Sequence, residues 1–412
     1  MAGFGLKTLT FYGARLLCKL LYGLSGLFPR QAGKVCVGAY QNRFTDNSKY
    51  LYLHLSTLPQ LKVIWVTGDS ELAARLNEQG LNAAERWSLK GIWHALTAGT
   101  YVYSAYVGDI NQWLGKGARR MNLWHGSPMK AIEFDITTGP MAERFQPPYG
   151  LLKRLKYHQE YLRPDLMLAP SEPVRACFAS AFRLAESDIK LAAYPRSAFY
   201  QRYPAAKPAR PASWRPRLIL YAPSWRDGGT KQGLDTLLPA ATLAPMLERL
   251  NATLLLRLHP NDVKKGIKLP SHPQIVDISS REDVYDLLPE LSLLISDYSS
   301  LYIDALLFDV PLAFYRFDEA EYMQCCRNAY HFADALEPPG PVVRTPDELI
   351  ALLQQQDCLT KAGSAELRHR HRQLYWQEPL ADPFAIIETE LGLTTAENQP
   401  EVGCSHPSDS LS

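Results

Sequence analysis

Two histidines close apolar runs where an imidazole could act on a phosphate ester. They are His125 in WHGSP at 124–128 and His259 in RLHP at 257–260. A neutral imidazole titrating near neutrality suits a general base that takes the proton from an attacking hydroxyl. Gly126 beside it lets a substrate approach the backbone closely. In 257–260 the alternation of a strand puts Arg257 and His259 on one face. A cation next to an imidazole there can hold a diphosphate and stabilise the charge growing on a leaving phosphate, although a strand-end histidine bonded to backbone is the other reading. Two further motifs end apolar runs, YAPSWR at 221–226 and SDYSS at 296–300. In the second, Ser299 or Ser300 opens a helix expected to reach Phe308; such a start offers backbone N–H groups and hydroxyls to a phosphate, or Asp297 and the serines serve only as caps. In the first, Arg226 precedes Gly228 and Gly229, a weak phosphate-loop signal. Lys130 and Asp135 follow His125, where they could neutralise an anionic acceptor and orient the imidazole, or be solvated surface charges. No GxGxxG or GxxxxGK[ST] loop is present, nor a DxD motif placed to hold a metal on a nucleotide diphosphate. Charge stabilisation by a helix end, arginine and histidine requires no metal or other cofactor.

Positioning these ends is the work of alternating strands and helices. Strands are expected at 35–39, 62–67 and 101–107, with one more ending at Leu123 and Trp124. Helices are expected from near Asp46 and over 71–79. Beyond a Pro- and Ala-rich linker at 203–216 the pattern returns, with strands at 218–221, 253–256, 275–277, 293–295 and 312–315 and helices at 243–250, 284–288, 300–308, 347–355 and 365–377. Alternation of this kind predicts parallel sheets covered on both faces, in an α/β fold. In such sheets a ligand sits at the carboxyl ends of the strands, and all four motifs follow strands.

The chain has 412 residues, 46% hydrophobic and 21% charged, too many for one average core, so two domains are expected. A net charge of +2 gives no reason to invoke nucleic acid as a partner. Seven cysteines without CxxC spacing point to a reducing compartment and away from a zinc site. The first 30 residues carry Lys7, Arg15, Lys19 and Arg30 and no acidic residue, and Leu6, Leu9, Leu16, Leu17, Leu20, Leu21, Leu24 and Phe28 recur through them. No apolar run there reaches the roughly 20 residues of a spanning helix. Two readings remain for it: a basic amphipathic helix on an anionic membrane surface, or a helix packed on the core. After Leu393 the polar tail is expected to be disordered.

The ordered set FTDNSKYLY (44–52), WHGSPMK (124–130), YPR (194–196), YAPSWR, RLHP, the run from Asp297 to Tyr322 and PGPVV within 327–349 resembles the CDP-glycerol glycerophosphotransferase family of teichoic-acid and capsule polymerases and primases. The likeness covers about residues 35–379. It implies a GT-B-like fold, with two Rossmann-like domains and the active site in the cleft between them. The division would be a membrane-associating segment at 1–30, an acceptor-side domain at 31–202, the linker at 203–216, a CDP-glycerol-binding domain at 217–393 and a tail at 394–412. By that resemblance His125 takes the proton of the acceptor hydroxyl, with Gly126, Ser127, Lys130 and Asp135 on the acceptor side. His259, Ser299 and Ser300 hold the donor diphosphate as CMP departs, and Arg196, Arg226, Arg257 and Asp297 lie near the donor. The partners implied are CDP-glycerol, a polyprenyl-linked or glycan acceptor and the anionic inner leaflet, which would make the chain peripheral on the cytoplasmic face. The chain departs from the family pattern at Ser127, where threonine is frequent, at Ser197 and Ala198 after YPR, and at Asn328, where glycine is common. Three alternatives stand beside this reading: a CDP-ribitol-dependent transferase, a GT-B glycosyltransferase using a nucleotide sugar, and a non-catalytic membrane-bound partner.

Overall fold

A computed structural model of the chain describes residues 6–139, 141–224, 234–258, 270, 272–324, 330, 336–355 and 364–393. Two parallel sheets form the frame. The first has seven strands: β1 (Gln31–Gly38), β2 (Lys62–Thr67), β3 (Ala83–Glu85), β4 (Ala98–Tyr103), β5 (Arg119–Asn122), β6 (Leu166–Ala169) and β7 (Ile189–Leu191). Their order is β3-β2-β1-β4-β5-β6-β7. The second has six: β8 (Arg217–Tyr221), β9 (Ala252–Leu256), β10 (Ile275–Asp277), β11 (Leu291–Ser296), β12 (Leu312–Tyr315) and β13 (Val342–Val343), in the order β10-β9-β8-β11-β12-β13. Strand order reverses between β1 and β4 in one sheet and between β8 and β11 in the other. Each sheet is thus doubly wound, and the expected α/β, GT-B-like fold is observed.

Several strands carry apolar runs because helices cover both faces; β6 and β9 are buried along their whole length. The crossover helices start where side chains cap them. Asp69 accepts from the amides of Glu71 and Leu72, both at 3.0 Å, to open Ser70–Glu78, and Ser88 and Ser171 cap Leu89–Thr97 and Glu172–Phe182. One apolar core runs across both sheets. It joins Trp124, Met167, Phe178 and Tyr194 to Leu220, Ile303, Phe314 and Trp376, and the indole of Trp376 donates to the carbonyl of Ile303 at 2.7 Å. Each large side chain buried there contributes about 1.5–3 kcal/mol, so the contact between the sheets is part of the core. The helix Pro383–Glu390 returns to the first sheet, with Phe384 and Ile387 in that sheet's own core.

Several expected elements differ, among them the helix at 300–308, which spans Leu301–Leu306. The strand expected to reach Val107 stops at Tyr103, because Asp109 accepts from the amides of Ala105 and Tyr106 and turns the chain. The one expected to end at Leu123 and Trp124 ends at Asn122, and Trp124 lies at φ 48°. No helix forms at 284–288; turns lead into a 3-10 helix at Leu288–Glu290, since Asp283 and Asp286 are held by Tyr50 and Arg281. Leu6–Ser25 is a 20-residue helix packed against Leu151–Lys156, and among the described residues no helix is long and apolar enough to cross a membrane.

Candidate active site

The reversal point of the first sheet is where His125 sits. Just beyond the end of β4, the carbonyl of Ser104 accepts from Nδ1 of His125 at 3.1 Å. A carbonyl can only accept, so this bond selects the tautomer with the proton on Nδ1 and the lone pair on Nε2, the form a general base needs. The ring is exposed, with the centroid of the Trp124 ring 4.3 Å away and the Tyr40 ring stacked at 6.3 Å. Tyr40 opens the turn that follows β1, and its amide donates to the Ser104 hydroxyl at 3.4 Å. Backbone strain gathers here: Gln41, Asn42, Asp46, Trp124 and Glu133 all have positive φ. Left-handed non-glycine residues of this kind cost about 1–3 kcal/mol each and persist where the surroundings over-determine them.

The loop that carries His125 is held from three sides. Asn122 Oδ1 accepts from the amide of Trp124 at 2.9 Å, and Asn47 Nδ2 donates to the carbonyls of Leu123 at 3.3 Å and Trp124 at 2.9 Å. Gly126 has φ 130°, and a Cβ there would lie 2.8 Å from Nη2 of Arg196. Only glycine satisfies both conditions. The hydroxyls of Ser127 and Tyr194 are hydrogen-bonded at 3.3 Å and buried, so Ser127 supports the loop from below.

Arg196, expected near the donor, is 2% exposed, and its guanidinium is engaged by carboxylates from both halves of the chain. Nη1 donates to Asp46 at 2.6 Å, and Nη2 donates to both oxygens of Asp304 at 3.0 and 2.8 Å. Burial acts to lower its pKa, but Asp304, Tyr285 and Asp46 together outweigh it and hold the group well above its ordinary value. Asp135 does not orient His125. It accepts from the hydroxyls of Ser180 and Tyr330, both at 2.6 Å, and the imidazole is oriented instead by the carbonyl of Ser104. Lys130 is not a solvated charge: it donates to the hydroxyl of Tyr322 at 2.6 Å, and the Tyr322 ring stacks on Tyr298 at 3.7 Å. Lys130 and Asp135 therefore tie the segment after His125 to the second sheet's side.

At the second reversal point, Asp297 joins the ends of β8 and β11. Its carboxylate accepts from the amide of Ser224 at 3.0 and 2.8 Å, from the Ser224 hydroxyl at 2.8 Å and from the amide of Tyr298 at 2.5 Å. Being 1% exposed, Asp297 shapes the loop from within. The helix that follows is Leu301–Leu306, shorter than the one expected at 300–308. Ser299 Oγ accepts from the amide of Leu301 at 3.3 Å, whereas Ser300 stands at the cap position without a side-chain cap bond. Arg257 continues from β9, its amide donating to Tyr221 at 3.0 Å. Arg226 and His259 lie outside the described residues. Among the described residues no group of three or more His, Cys, Asp and Glu side chains is placed to hold a metal ion.

His125, Gly126 and Ser127 thus lie at the reversal point of the first sheet and Asp297, Ser299 and Ser300 with YAPS at that of the second, and Arg196, packed under Gly126, bonds Asp304 in the helix after Ser300. Tyr40, Ser104, Asn47 and Asn122 were not singled out from the sequence. Asn47 lies within FTDNSKYLY, whose matching residues gave no hint that one of them holds the WHGSP loop.

Comparison with known proteins agrees with this architecture. Residues 27–378 match the sequence model of the family described as CDP-Glycerol:Poly(glycerophosphate) glycerophosphotransferase. The chain is 24% identical over 353 residues to a teichoic acid poly(glycerol phosphate) polymerase of Bacillus spizizenii, covering 82% of this chain and 86% of that one. It is 26% identical over 352 residues to a teichoic acid ribitol-phosphate primase of the same organism, covering 79% and 83%. In three dimensions it is similar in fold to the wall teichoic acid polymerase TagF, with a TM-score of 0.71 at 20% identity, covering 94% of this chain and 95% of that one. With the family model matched over most of its length, the chain belongs to the CDP-glycerol:poly(glycerophosphate) glycerophosphotransferase family.

Proposed function

We propose that the chain transfers glycerol phosphate from CDP-glycerol to a hydroxyl of a lipid-linked or glycan acceptor, releasing CMP, in the synthesis of a teichoic-acid-like or capsular polymer. The observation that carries this is the Nδ1 bond from His125 to Ser104 at the first reversal point, which presents a basic Nε2 at the edge where an acceptor would lie. The acceptor oxygen attacks the β-phosphorus and its proton passes to Nε2 of His125. The bond from that phosphorus to the bridging oxygen breaks, and CMP leaves with the bridging oxygen. Little covalent chemistry falls to the protein in such a transfer; positioning and charge stabilisation supply most of the rate. Ser299 and Ser300, with Arg226, Arg257 and His259, are assigned to the donor phosphates. Asp297 supports their loop, and Arg196 holds the two sides together.

Incubation with CDP-glycerol, CDP-ribitol and UDP-sugars, each with a synthetic lipid-linked acceptor, tests the reading. CMP release from CDP-glycerol is the expected result, with product length read by mass spectrometry. Release from CDP-ribitol alone would move the chain to the ribitol branch of the family, and release of UDP alone would sink phosphotransfer.

The same reading places the acceptor at an anionic membrane on the cytoplasmic face. Along Leu6–Ser25 the leucines at 9, 16, 17, 20, 21 and 24 are exposed, and Leu27 beyond it is 79% exposed. The packed helix Leu151–Lys156 adds Leu151, 72% exposed, beside Lys153, Arg154 and Lys156. Apolar rows flanked by cations suit the headgroup boundary of anionic lipid. Replacing Leu16, Leu17 and Leu20 by Gln is expected to release the protein from sedimenting phosphatidylglycerol vesicles; unchanged sedimentation would remove the helix from membrane binding.

A further inference from the structure

We propose that Arg43 and Arg257 form a two-guanidinium site for a phosphate group, built jointly by the two sides of the cleft, with Arg43 contributed from the acceptor side. Arg43 closes the turn Tyr40–Asn42, its amide donating to Tyr40 at 3.3 Å, and Tyr40 is the ring stacked on His125. Arg257 leaves β9 two residues before His259. The two side chains meet on one atom. Nη2 of Arg43 donates to the carbonyl of Glu282 at 3.3 Å and Nη2 of Arg257 donates to the same carbonyl at 3.2 Å.

What surrounds them separates this pair from an ordinary charge network. The carboxylates of Glu282 and Asp283 are engaged by Lys49, with Nζ 3.1 Å from each, and further by Arg75 on Glu282 at 3.1 Å and the Tyr50 hydroxyl on Asp283 at 2.6 Å. Among the described residues neither Arg43 nor Arg257 makes an ion pair, although both are half-buried and carboxylates stand close by. Burial first, and the charge of Arg43 among the smaller causes, pull the pKa of Arg257 down. The Asp283 carboxylate offsets the repulsion of Arg43 at Arg257, but the two forks themselves share only a neutral carbonyl, and a phosphate between them would add the charge-assisted bonds they lack. Guanidinium forks match phosphate oxygens in pairs, which an ammonium cannot do. Through Tyr40 the pair is linked to the proposed base, and through β9 to the proposed donor side. The anion it would take is therefore the phosphate of the donor or of the acceptor's end. The arginines move no proton; they stabilise negative charge on non-bridging oxygens as the new P–O bond forms and the bond to CMP breaks.

This inference rests on the phosphotransfer reading, and the experiment separates the two. Full-length wild type, R43Q and R257Q are titrated with inorganic pyrophosphate and with CDP by calorimetry, and kcat and KM are measured separately for CDP-glycerol and acceptor. In R43Q, pyrophosphate affinity is expected to fall about tenfold or more. A matching defect in the CDP-glycerol constants assigns the donor phosphate, and one confined to the acceptor KM assigns the acceptor phosphate. Wild-type affinity for pyrophosphate and CDP together with wild-type kinetic constants in R43Q would overturn the site. Should R43Q not fold, R43K keeps the charge and loses the fork: reduced pyrophosphate affinity supports the site, and unchanged affinity overturns it. A wild type that binds pyrophosphate through Arg43 yet releases no CMP from any CDP-alditol would count against phosphotransfer and leave the site standing.

Discussion

His125→Ala is expected to lower CMP release from CDP-glycerol by about 10²- to 10⁴-fold, the usual contribution of a positioned general base. Its melting temperature should match that of the wild type. The two halves of this expectation come from different observations. The ring is exposed and belongs to no apolar core, so its loss removes only its contacts with the Trp124 and Tyr40 rings, a small change beside the buried packing of the sheets. The loop beneath it does not depend on the imidazole, because Asn47 and Asn122 hold its backbone. What the variant loses is a nitrogen base whose tautomer Ser104 selects. Added imidazole should therefore restore part of the rate in His125→Ala, because a diffusing base can occupy the vacated position. It should do nothing for the wild type. Undiminished CMP release by His125→Ala would take His125 out of the mechanism, and a collapse in melting temperature would show that its role is structural.

How much of this was legible follows from chain length and from where partners lie. Strands with four consecutive apolar residues, such as β2, β8 and β12, declare themselves in the sequence, although β6, with the run LMLA, was not among the strands expected. β3, β7 and β13 span three, three and two residues and carry no period of their own; their neighbours in the sheet define them. The expected helix at 284–288 shows the converse failure. Val284, Leu287 and Leu288 have helical spacing, but the aspartates among them are bonded to Tyr50 and Arg281, and those contacts override propensity. At the site, residue types pointed to the right strand ends, since each motif closes an apolar run. They could not tell a group facing substrate from one bracing the loop. Lys130 and Asp135 find Tyr322 and Tyr330 192 and 195 positions away, a separation that no local pattern records. The same holds for Arg196, whose cation is as suited to a phosphate as to the two carboxylates it meets.

Arg196→Ala is expected to destabilise the protein by about 3–5 kcal/mol, because removing one partner of a buried ion pair leaves the other charged and unsolvated. Here the remainder would be two carboxylates, Asp46 at the start of the helix Asp46–Leu55 and Asp304 within Leu301–Leu306, which the guanidinium now separates. The consequence should reach the active site through two short routes. The main-chain amide of Arg196 donates to Asn47 Oδ1 at 3.3 Å, a bond the variant keeps but whose position shifts once the segment loses its anchor, and the Asn47 side chain holds the carbonyl of Trp124. Nη2 of Arg196 also packs under Gly126. Arg196→Lys keeps the charge but, with one nitrogen in place of a fork, cannot reach Asp46 and Asp304 in the same way. It should fall between wild type and Arg196→Ala in urea midpoint. Pairing Arg196→Met with Asp46→Asn and Asp304→Asn removes all three charges and should recover much of the stability without recovering activity, since the guanidinium that packs under Gly126 would still be missing. A urea midpoint in Arg196→Ala equal to that of the wild type would show that the clamp contributes nothing. Recovered CMP release in the triple variant would show that His125 is positioned without it.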